Sequence, residues 1–581
     1  MRDKISSGQK IARKITHLSK KAGEGVVEHA QENIIDRFSH IRRVRLLILE
    51  WSLLVIAIII LSVTQAYWYS NSYATQTYKD GGTYTEATIG EINSLNPLFA
   101  STNSEKALSK LLFSSLSSPD YSGHSGLDLA KSIKTDASGK VWTVRLKDNL
   151  KWSDGEPLTN EDVIFTVNLI KNPLLTCNYE SNVSGVNVSE DAEKNLVFTL
   201  SAASTYFSSA LDFPILPKHI LENVSPELIL ENNFSSKPTV SSGPFAYNAT
   251  QAIGNLGEKS VYLVANGNYY KGRPLIDSFV IHAFTSTDDI VNALNSGTVT
   301  ASGDLTAGDA KKVTSNNLLE FQSSLNYGVF AFFNTSTSLA DKNLRKALQQ
   351  GINMNEVRSI LNGEQPLDFP LTENQIKIEE LPTLPKLDTN TAKKTIKTIL
   401  DGNQELKEQG LVIATIQSGF LPEIAEKLAA QIRSLGISAD VTVYDSTQDF
   451  NLNVLSTRAY DILVYEVGLG ADPDVFAYYH SSEASSTGHN LSNYRNSVVS
   501  DLVLSARSTM NYALRAKKYE KFLAYFVEDV PALGIYQSNL NYFVNKNVRT
   551  FSLENKLVTA TDRFSDVVRW GIETIAKNRT P

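Results

Sequence analysis

The stretch WSDGEPLTNEDVIF, residues 152–165, brings a tight turn and a helix start together within fourteen residues. The Asp-Gly pair at 154–155 is typical of a turn, and the proline that follows stiffens the chain leaving it. Thr159 and Asp162 form a T-x-x-D arrangement, a near relative of the capping box, which predicts a helix running through Leu169. This local chemistry determines shape, and by itself it supplies no catalytic group.

The chain upstream of this stretch alternates between strand-like and helix-like patterns. Polar residues alternate with apolar ones over 141–146, just before the turn, which predicts a half-buried strand. Further upstream, Asn103 or Ser104 can cap a helix that is predicted to continue through Leu116. Such alternation of strands and helices indicates an α/β protein.

A β-α-β unit is predicted in the second half of the chain. LVIATIQ (411–417) has the pattern of a strand, and an amphipathic helix follows it and ends at Gly436. ISADVTVYD (437–445) then has the pattern of a second strand, which completes the unit. Residues 500–525 are strongly helical in pattern, and Pro531 breaks that pattern.

Length and composition favour a folded protein of several domains. At 581 residues the chain is too long for one simple core, so two or three domains are expected. With 42% hydrophobic residues, 20% charged residues and a mean hydropathy of −0.17, disorder is not expected for most of it. The one cysteine, Cys177, excludes an internal disulfide and is expected to be a small buried apolar residue.

An apolar segment near the amino terminus has the length and the flanks of a membrane-spanning helix. No charged residue occurs from Trp51 to Tyr78, and the apolar run reaches the roughly 20 residues that cross a bilayer. The first 50 residues hold eleven Lys and Arg against six Asp and Glu, with three arginines at 42–45. By the positive-inside rule, we predict a cytoplasmic basic tail (1–45), a transmembrane signal anchor (46–69), a linker (70–79) and an extracytoplasmic main body at the cell membrane.

Three other interpretations of this segment are less favourable. A buried core helix is not normally flanked by such asymmetric charge. A signal peptide cleaved near the small-x-small sequence at 72–74 would need an unusually long charged leader. A lipoprotein would need a cysteine directly after the apolar run, and none is there.

Motifs of catalysis or of cofactor binding do not occur in the sequence. The five histidines after the apolar segment lack metal-ligand spacing, and there is no HExxH, G-x-S-x-G or phosphate-loop motif. The chain has a net charge of −7, and because its first 50 residues are basic, the rest is more acidic still, which argues against nucleic-acid binding. We therefore expect neither an enzyme nor a bound cofactor or metal, and we interpret the acidic segment 472–474 as a turn.

The stretch LKDNLKWSDGEPLTNEDVIFTVNLIKNP, residues 146–173, resembles the signature region of the family 5 solute-binding proteins, which serve oligopeptide and dipeptide ABC importers. The residues that match the family pattern are Trp152, Asp154, Gly155, Pro157, Thr159 and Asp162, whereas Asn160 replaces the usual alanine. Further resemblances follow in chain order, over roughly residues 80–560, at 95–116, 241–248, 265–284, 334–353, 459–476 and 528–536.

This resemblance implies an α/β, two-lobed fold of the periplasmic-binding-protein kind (type II, three regions) that closes on its solute. It places lobe I at 80–117, 217–326 and 537–581, a β-rich insertion at 118–216, and lobe II at 327–536. The implied function is that of the membrane-anchored, extracytoplasmic binding component of an ABC importer. Such a component captures an oligopeptide or a similar small solute between its lobes and delivers it to permease subunits, and we expect it to be a monomer.

The resemblance also implies which residues contact the ligand. Loop 101–103 takes the place of a segment that pairs with a peptide backbone, and the strand end at 466–468 would accept the peptide as an added strand. The full implied set is Ser101, Thr102, Asn103, Phe213, Phe332, Glu466, Val467, Gly468, Leu469, Asp472 and Tyr536.

One departure from the family pattern leaves the class of ligand open. Peptide-binding members hold the ligand's ammonium with an aspartate where this chain has Leu469, and a buried ammonium without a carboxylate is costly. Either Asp472 takes over this role or the solute has no free amino group there. An oligosaccharide is then an alternative, and a nickel chelate is a weaker one because no histidine occupies a matched position. An alternative from another functional class is a membrane-tethered scaffold or sensor protein with a repurposed cleft.

Overall fold

A computed structural model describes residues 36–253, 257–552 and 554–578. The larger of its two compact units is Tyr78–Thr574. In the smaller unit, helix α1 (Asp36–Tyr73) contains the apolar span Leu46–Trp68, whose 23 residues are long enough to cross a membrane and are not buried. Most of the predicted basic tail, residues 1–35, lies outside the described residues.

The first half of the chain contains many short elements. Its strands are β1 (Ala74–Lys79), β2 (Thr83–Ile89), β3 (Ser117–Pro119), β4 (Ser125–Leu127), β5 (Ala130–Thr135), β6 (Val141–Leu146), β7 (Val186–Glu190), β8 (Leu196–Leu200), β9 (Phe245–Ala252), β10 (Lys259–Ala265), β11 (Ser278–Phe284) and β12 (Ala301–Ser302). Its helices after α1 are α2 (Asn103–Leu112), α3 (Asn160–Ile170), α4 (Glu180–Val183), α5 (Phe207–Ala210), α6 (Lys218–Leu221), α7 (Asn233–Ser236), α8 (Thr287–Ser296) and α9 (Ala307–Ala310).

The second half contains the two longest strands and the longer helices of the larger unit. Its strands are β13 (Leu318–Phe333), β14 (Gln365–Pro366), β15 (Leu411–Ile416), β16 (Ala439–Tyr444), β17 (Ile462–Gly468), β18 (Ala532–Asn545), β19 (Val548–Arg549) and β20 (Gly571–Asn578). Its helices are α10 (Lys342–Gly351), α11 (Met354–Val357), α12 (Thr389–Gly402), α13 (Gln404–Gln409), α14 (Leu421–Leu435), α15 (Thr447–Phe450), α16 (Phe476–Tyr479), α17 (Ser497–Ser508) and α18 (Tyr512–Asp529).

One mixed sheet of eleven strands runs through the larger unit. Its order is β16-β15-β17-β13-β18-β12-β2-β11-β10-β9, and β14 pairs with β18. The long antiparallel strands β13 and β18 pair from Leu318 opposite Asn545 to Phe332 opposite Ala532. They connect two packing regions, which we call lobe I (around β2, β10 and β11) and lobe II (around β15 and β17).

Each lobe has its own apolar core. In lobe I the largest fully buried side chains include Tyr84, Phe279 and Trp570. In lobe II the alternation of side chains along β13 fills two cores, because Val329 packs on one face of the sheet and Phe330 on the other. The central sheet is therefore shared by both lobes, whereas the packing that stabilises each lobe is separate.

The stretch at 152–165 forms the predicted turn and helix. Gly155 adopts φ +97°, the left-handed region in which glycine is favoured. Thr159 is the N-cap of α3, and its capping box with Asp162 is complete on both sides. The helix lies beside a separate four-stranded antiparallel sheet, β5-β6-β8-β7, which contains the strand predicted at 141–146.

The predicted β-α-β unit is confirmed. Strands β15 and β16 are parallel neighbours, and α14 between them ends at Gly436 with φ +103°. Cys177 is buried and free, as predicted.

Two helix predictions are wrong in their bounds. Thr102, rather than Asn103 or Ser104, caps α2, because its hydroxyl accepts from the Glu105 N–H at 3.2 Å and completes a capping box. The same helix ends at Leu112 instead of Leu116, since the chain becomes extended at Phe113. The region 500–525 forms two helices, and Asn511 caps the second.

Candidate functional site

A cleft of about 1320 Å³ lies between lobe I and lobe II. Lobe I lines it with the start of α2, with loop 303–309 and with the segment 559–563. Lobe II lines it with loop 417–421, Glu466 and Tyr536. The volume exceeds the roughly 300–1,000 Å³ of ordinary small-molecule sites, so the cleft has room for an extended solute.

Hydrogen bonds connect the four-stranded sheet region to lobe II. The hydroxyls of Tyr206 and Tyr519 lie 2.8 Å apart, and the Thr205 N–H donates to the Arg507 carbonyl at 2.8 Å. Ser209 Oγ also donates to the Asp472 carboxylate. Ser209 is therefore a structural partner of Asp472, and Asp472 is not among the residues that line the cleft.

The start of α2 is fixed by one buried carboxylate. Glu105 accepts hydrogen bonds from the backbone N–H groups of Asn93 at 2.8 Å, Ser94 at 3.0 Å and Ser101 at 2.8 Å. Burial alone would raise the pKa of Glu105, but these N–H groups outweigh it and hold the pKa below its ordinary value. The carboxylate therefore orders the loop that presents Ser101 and Asn103 to the cleft.

Opposite charges from three chain segments meet on the lobe I side. Lys110 Nζ lies 3.7 Å from Asp212 Oδ1 and 3.8 Å from Asp562 Oδ1. Burial raises the pKa of Asp212 to about 7, and the charge of Lys110 opposes this rise. All three side chains line the cleft, so this wall carries charges that are largely paired with one another.

A second ion pair supports the lobe I wall. Arg563 donates from Nε and Nη2 to Glu86 Oε1 at 2.8 and 2.6 Å, and both side chains are almost fully buried. Asp304 lies nearby and accepts from the Ile89 N–H at 2.9 Å. These bonds fix the segment 559–563 against β2 and so position the wall.

The lobe II wall contains a strand with an unpaired edge. β17 pairs with β13 along its whole length, whereas β15 pairs with it only at Ile462 and Leu463. The Leu469 N–H donates to the Asn326 carbonyl on the β13 side at 2.7 Å. Alternation then directs the backbone N–H and C=O of Glu466 away from β13. In the part of the chain that the structure describes, no strand pairs with that side of Glu466.

The side chain of Glu466 lies on the face of the sheet that opens to the cleft. Ser538 Oγ donates to its carboxylate from β18. Desolvation by the walls of the cleft raises the pKa of Glu466, and the hydrogen bond from Ser538 and the charge of Lys106 oppose the rise. Tyr536 lies on the same face, since both residues pair with Val329.

The structure brings four of the predicted ligand contacts together. Ser101, Asn103, Glu466 and Tyr536 all line the cleft, the first two from lobe I and the others from lobe II. The ligand-binding roles of these residues stay predictions.

The other predicted contacts lie elsewhere. Phe213 and Phe332 are fully buried in the cores of lobe I and lobe II. Val467 and Leu469 also pack into the lobe II core. Three further residues have partners of their own: Gly468 pairs with Tyr327 across β17 and β13, Thr102 caps α2, and Asp472 accepts from Ser209.

Sequence reasoning missed most of the charged cleft residues. Lys106 and Lys110 lie four residues apart on α2, and their spacing opposite the buried face of that helix is a signal that could have found them. The remaining missed charged residues come from distant parts of the chain and include Asp212, Asp304, Asp562 and Arg563. The neutral residue Tyr327 was missed as well. Among the described residues, no group of three His, Cys, Asp or Glu side chains could hold a metal ion.

Comparisons with known proteins match most of this chain. The model for bacterial extracellular solute-binding proteins, family 5 Middle, matches residues 126–488. The oligopeptide-binding protein AppA of Bacillus subtilis is 25% identical over 531 residues, which are 87% of this chain and 96% of AppA. A structure of AppA in complex with a nonapeptide covers 85% of this chain and 100% of its own, with a TM-score of 0.70 and 22% identity. NikZ from Campylobacter jejuni, solved with Ni(L-His), covers 84% and 99%, with a TM-score of 0.71 and 20% identity. These structures confirm the predicted two-lobed α/β fold.

Proposed function

The chain belongs to family 5 of the bacterial extracellular solute-binding proteins, and from this premise we propose that it captures oligopeptides for an ABC importer. The solute binds in the cleft between lobe I and lobe II, and permease subunits receive it from there. The oligopeptide-binding protein AppA aligns with most of the chain and supports this choice of solute.

The unpaired edge of β17 is the observation that carries the proposal. An extended peptide can add to such an edge through main-chain hydrogen bonds, which give affinity without reading side chains. Glu466 lies at this edge and lines the cleft, so a peptide paired there lies inside the 1320 Å³ volume. A sugar or a metal chelate has no regular backbone to pair with a strand.

The position of Leu469 bears on how a peptide would be held. Its side chain is buried in the lobe II core, and its carbonyl accepts from Gln375 Nε2 at 2.6 Å. An ammonium contact at this position is therefore not part of the proposed binding mode. The alternatives are a non-peptide solute such as an oligosaccharide, and a scaffold or sensor role in which the cleft takes no solute.

The proposal extends to the placement of the chain. We infer that the span Leu46–Trp68 is an uncleaved anchor, with the tail in the cytoplasm and a monomeric, non-enzymatic binding body outside. The proposed regions of that body are lobe I at 80–117, 217–326 and 537–581, the insertion at 118–216 and lobe II at 327–536.

A titration of the detergent-purified full chain tests the solute class. Peptides of three to nine residues should bind with micromolar or tighter affinity and raise the melting temperature, whereas oligosaccharides and Ni-histidine should not. If strand addition is correct, single N-methyl groups on alternate peptide amides should weaken binding about tenfold, and those on the intervening amides should not. Failure of every peptide to bind would reject the proposal in favour of a sugar, a chelate or a scaffold.

A further inference from the structure

Six positions at the cleft end of the central sheet share one face, and we call them the tyrosine–acid row. Glu466 on β17 and Tyr536 on β18 both pair with Val329 on β13, and Tyr327 pairs with Gly468. Residues that are directly opposite on paired strands project to the same side. The row consists of Glu466, Gly468, Tyr327, Val329 and Tyr536, together with Ser538, which donates to Glu466.

Two tyrosine hydroxyls in the row have no partner within the described residues. Tyr536 is 7% exposed, and neither its hydroxyl nor that of Tyr327 forms a hydrogen bond there. Buried tyrosine hydroxyls normally find a partner. Because both residues line the cleft, their hydroxyls are available to a solute.

The carboxylate of Glu466 is also incompletely satisfied. It accepts from Ser538, but it forms no ion pair with any lysine or arginine in the described part of the chain. Glu364, which directly precedes β14 beside Tyr536, lines the same end of the cleft without an ion pair in those residues. Negative charge therefore faces the cleft next to two tyrosine rings.

We propose that the tyrosine–acid row selects solutes that carry an ammonium or a guanidinium group. The cationic group lies at the Glu466 carboxylate, against the rings of Tyr327 and Tyr536. A charge-assisted hydrogen bond and a cation–π contact both favour a cation in such surroundings. The inference rests on the proposed function, because it assigns a preference to the same cleft.

Because Gly468 has no side chain, there is room for a cationic group beside the ring of Tyr327. A Cβ at Gly468 would lie 3.5 Å from Cε1 of Tyr327, so a larger side chain there would cover the ring. Glu466 lies only three residues before Leu469, and it supplies a carboxylate to the cleft although position 469 does not.

Lys106 is the charged group that could reverse the preference. It lies on α2 in the lobe I wall, and its charge reaches both Glu466 and Asp304. If Lys106 dominated the row, the cleft would favour an anionic side chain instead. Whether the cleft prefers cationic or anionic peptides therefore tests whether Glu466 or Lys106 determines the selectivity.

Calorimetric titration of the full chain in detergent measures this preference. The probes are alanine-based pentapeptides with lysine, norleucine or glutamate substituted at each position in turn. At one position we expect the lysine peptide to bind at least about tenfold more tightly than the norleucine peptide. A difference of this size is expected from one charge-assisted hydrogen bond. At that position the glutamate peptide should bind most weakly.

Two variants, each of which removes one negative charge, distinguish the effect of the tyrosine–acid row from the effect of the protein's net charge. Glu466→Gln should abolish the lysine preference, so that the lysine and norleucine peptides bind this variant with equal affinity. Glu320→Gln is the matched control, since Glu320 lies exposed on the same strand as Tyr327 but outside the cleft, and it should keep the preference.

The outcomes distinguish the two proposals. Equal affinities for lysine and norleucine at every position, or a preference for glutamate, would overturn the cation selectivity and leave peptide capture intact. If none of the probes bound, peptide capture itself would fail, and the selectivity with it.

Discussion

Glu86 and Glu466 lie in the same eleven-stranded sheet, yet their surroundings are opposite. Glu86, on β2 in lobe I, is fully buried, and Arg563 donates to it twice, at 2.8 and 2.6 Å. Glu466, on β17 in lobe II, faces the cleft, and Ser538 is its hydrogen-bond donor. A carboxylate with its own buried cation stabilises the fold, whereas one that lacks a cation has capacity left for a solute.

The largest effect on stability should come from removing the buried cation that is paired with Glu86. Arg563→Met leaves Glu86 charged, buried and unpaired, so it should lower the free energy of unfolding by about 3–5 kcal/mol. Urea or thermal unfolding of the full chain measures the loss. The double variant Glu86→Gln/Arg563→Met should recover part of it, and a single variant as stable as the wild type would show that the pair does not support lobe I.

A matched pair of tyrosine variants sharpens the contrast. The Tyr84 hydroxyl bonds with the Tyr542 hydroxyl and donates to Glu86 at 3.1 Å, so Tyr84→Phe should cost about 1–3 kcal/mol of stability. Tyr536→Phe removes a hydroxyl without a partner among the described residues, so the melting temperature should stay nearly unchanged. Equal losses in the two variants would contradict the distinction.

Removing the charge of Glu466 should have almost no effect on the stability of the fold. Glu466→Gln removes a charge that lacks an ion pair, so we expect the free energy of unfolding to change by no more than about 0.5 kcal/mol. The same denaturation assay measures it, with Glu86→Gln as the comparison. A loss of several kcal/mol would mean that Glu466 has a structural role.

The last prediction concerns the pH dependence of stability at a carboxylate of intermediate surroundings. Burial raises the pKa of Asp212 to about 7, while Lys110 opposes the rise and Asp562 and Asp128 add to it. Because the folded protein then binds the proton more tightly than the unfolded chain, stability should fall as the pH rises from about 4 to about 7. Asp212→Asn should flatten this part of the melting curve against pH, and an unchanged slope would exclude Asp212 as its source.

The parts of the fold that could be predicted depend on neighbours in sequence. Thr159 and Asp162 are three residues apart, so their capping box is visible in the sequence and is present in the structure. The same rule misplaced the cap of α2, because several consecutive residues at 101–104 can act as caps and only the path of the preceding loop selects Thr102.

The parts that could not be predicted depend on contacts between distant segments. Glu86 and Arg563 are separated by 477 positions, and nothing local marks them as partners. The pattern around Glu466 indicates a strand end, but whether that strand has a free edge depends on where β15 stops pairing with it. Resemblance to a family suggested the position of Glu466, whereas its environment came only from the three-dimensional arrangement.

The central position of β13 and β18 has a mechanical consequence. Tyr327 and Tyr536 lie on these two strands, which pass between the lobes. In a rotation of one lobe against the other, the two strands would form the pivot, and points on a pivot move least. Tyr327 and Tyr536 would then keep their positions, whereas Lys106, on α2 in the lobe I wall, would change its distance from Glu466. Such a rotation would therefore change the electrostatic environment of Glu466 while leaving its tyrosine neighbours in place.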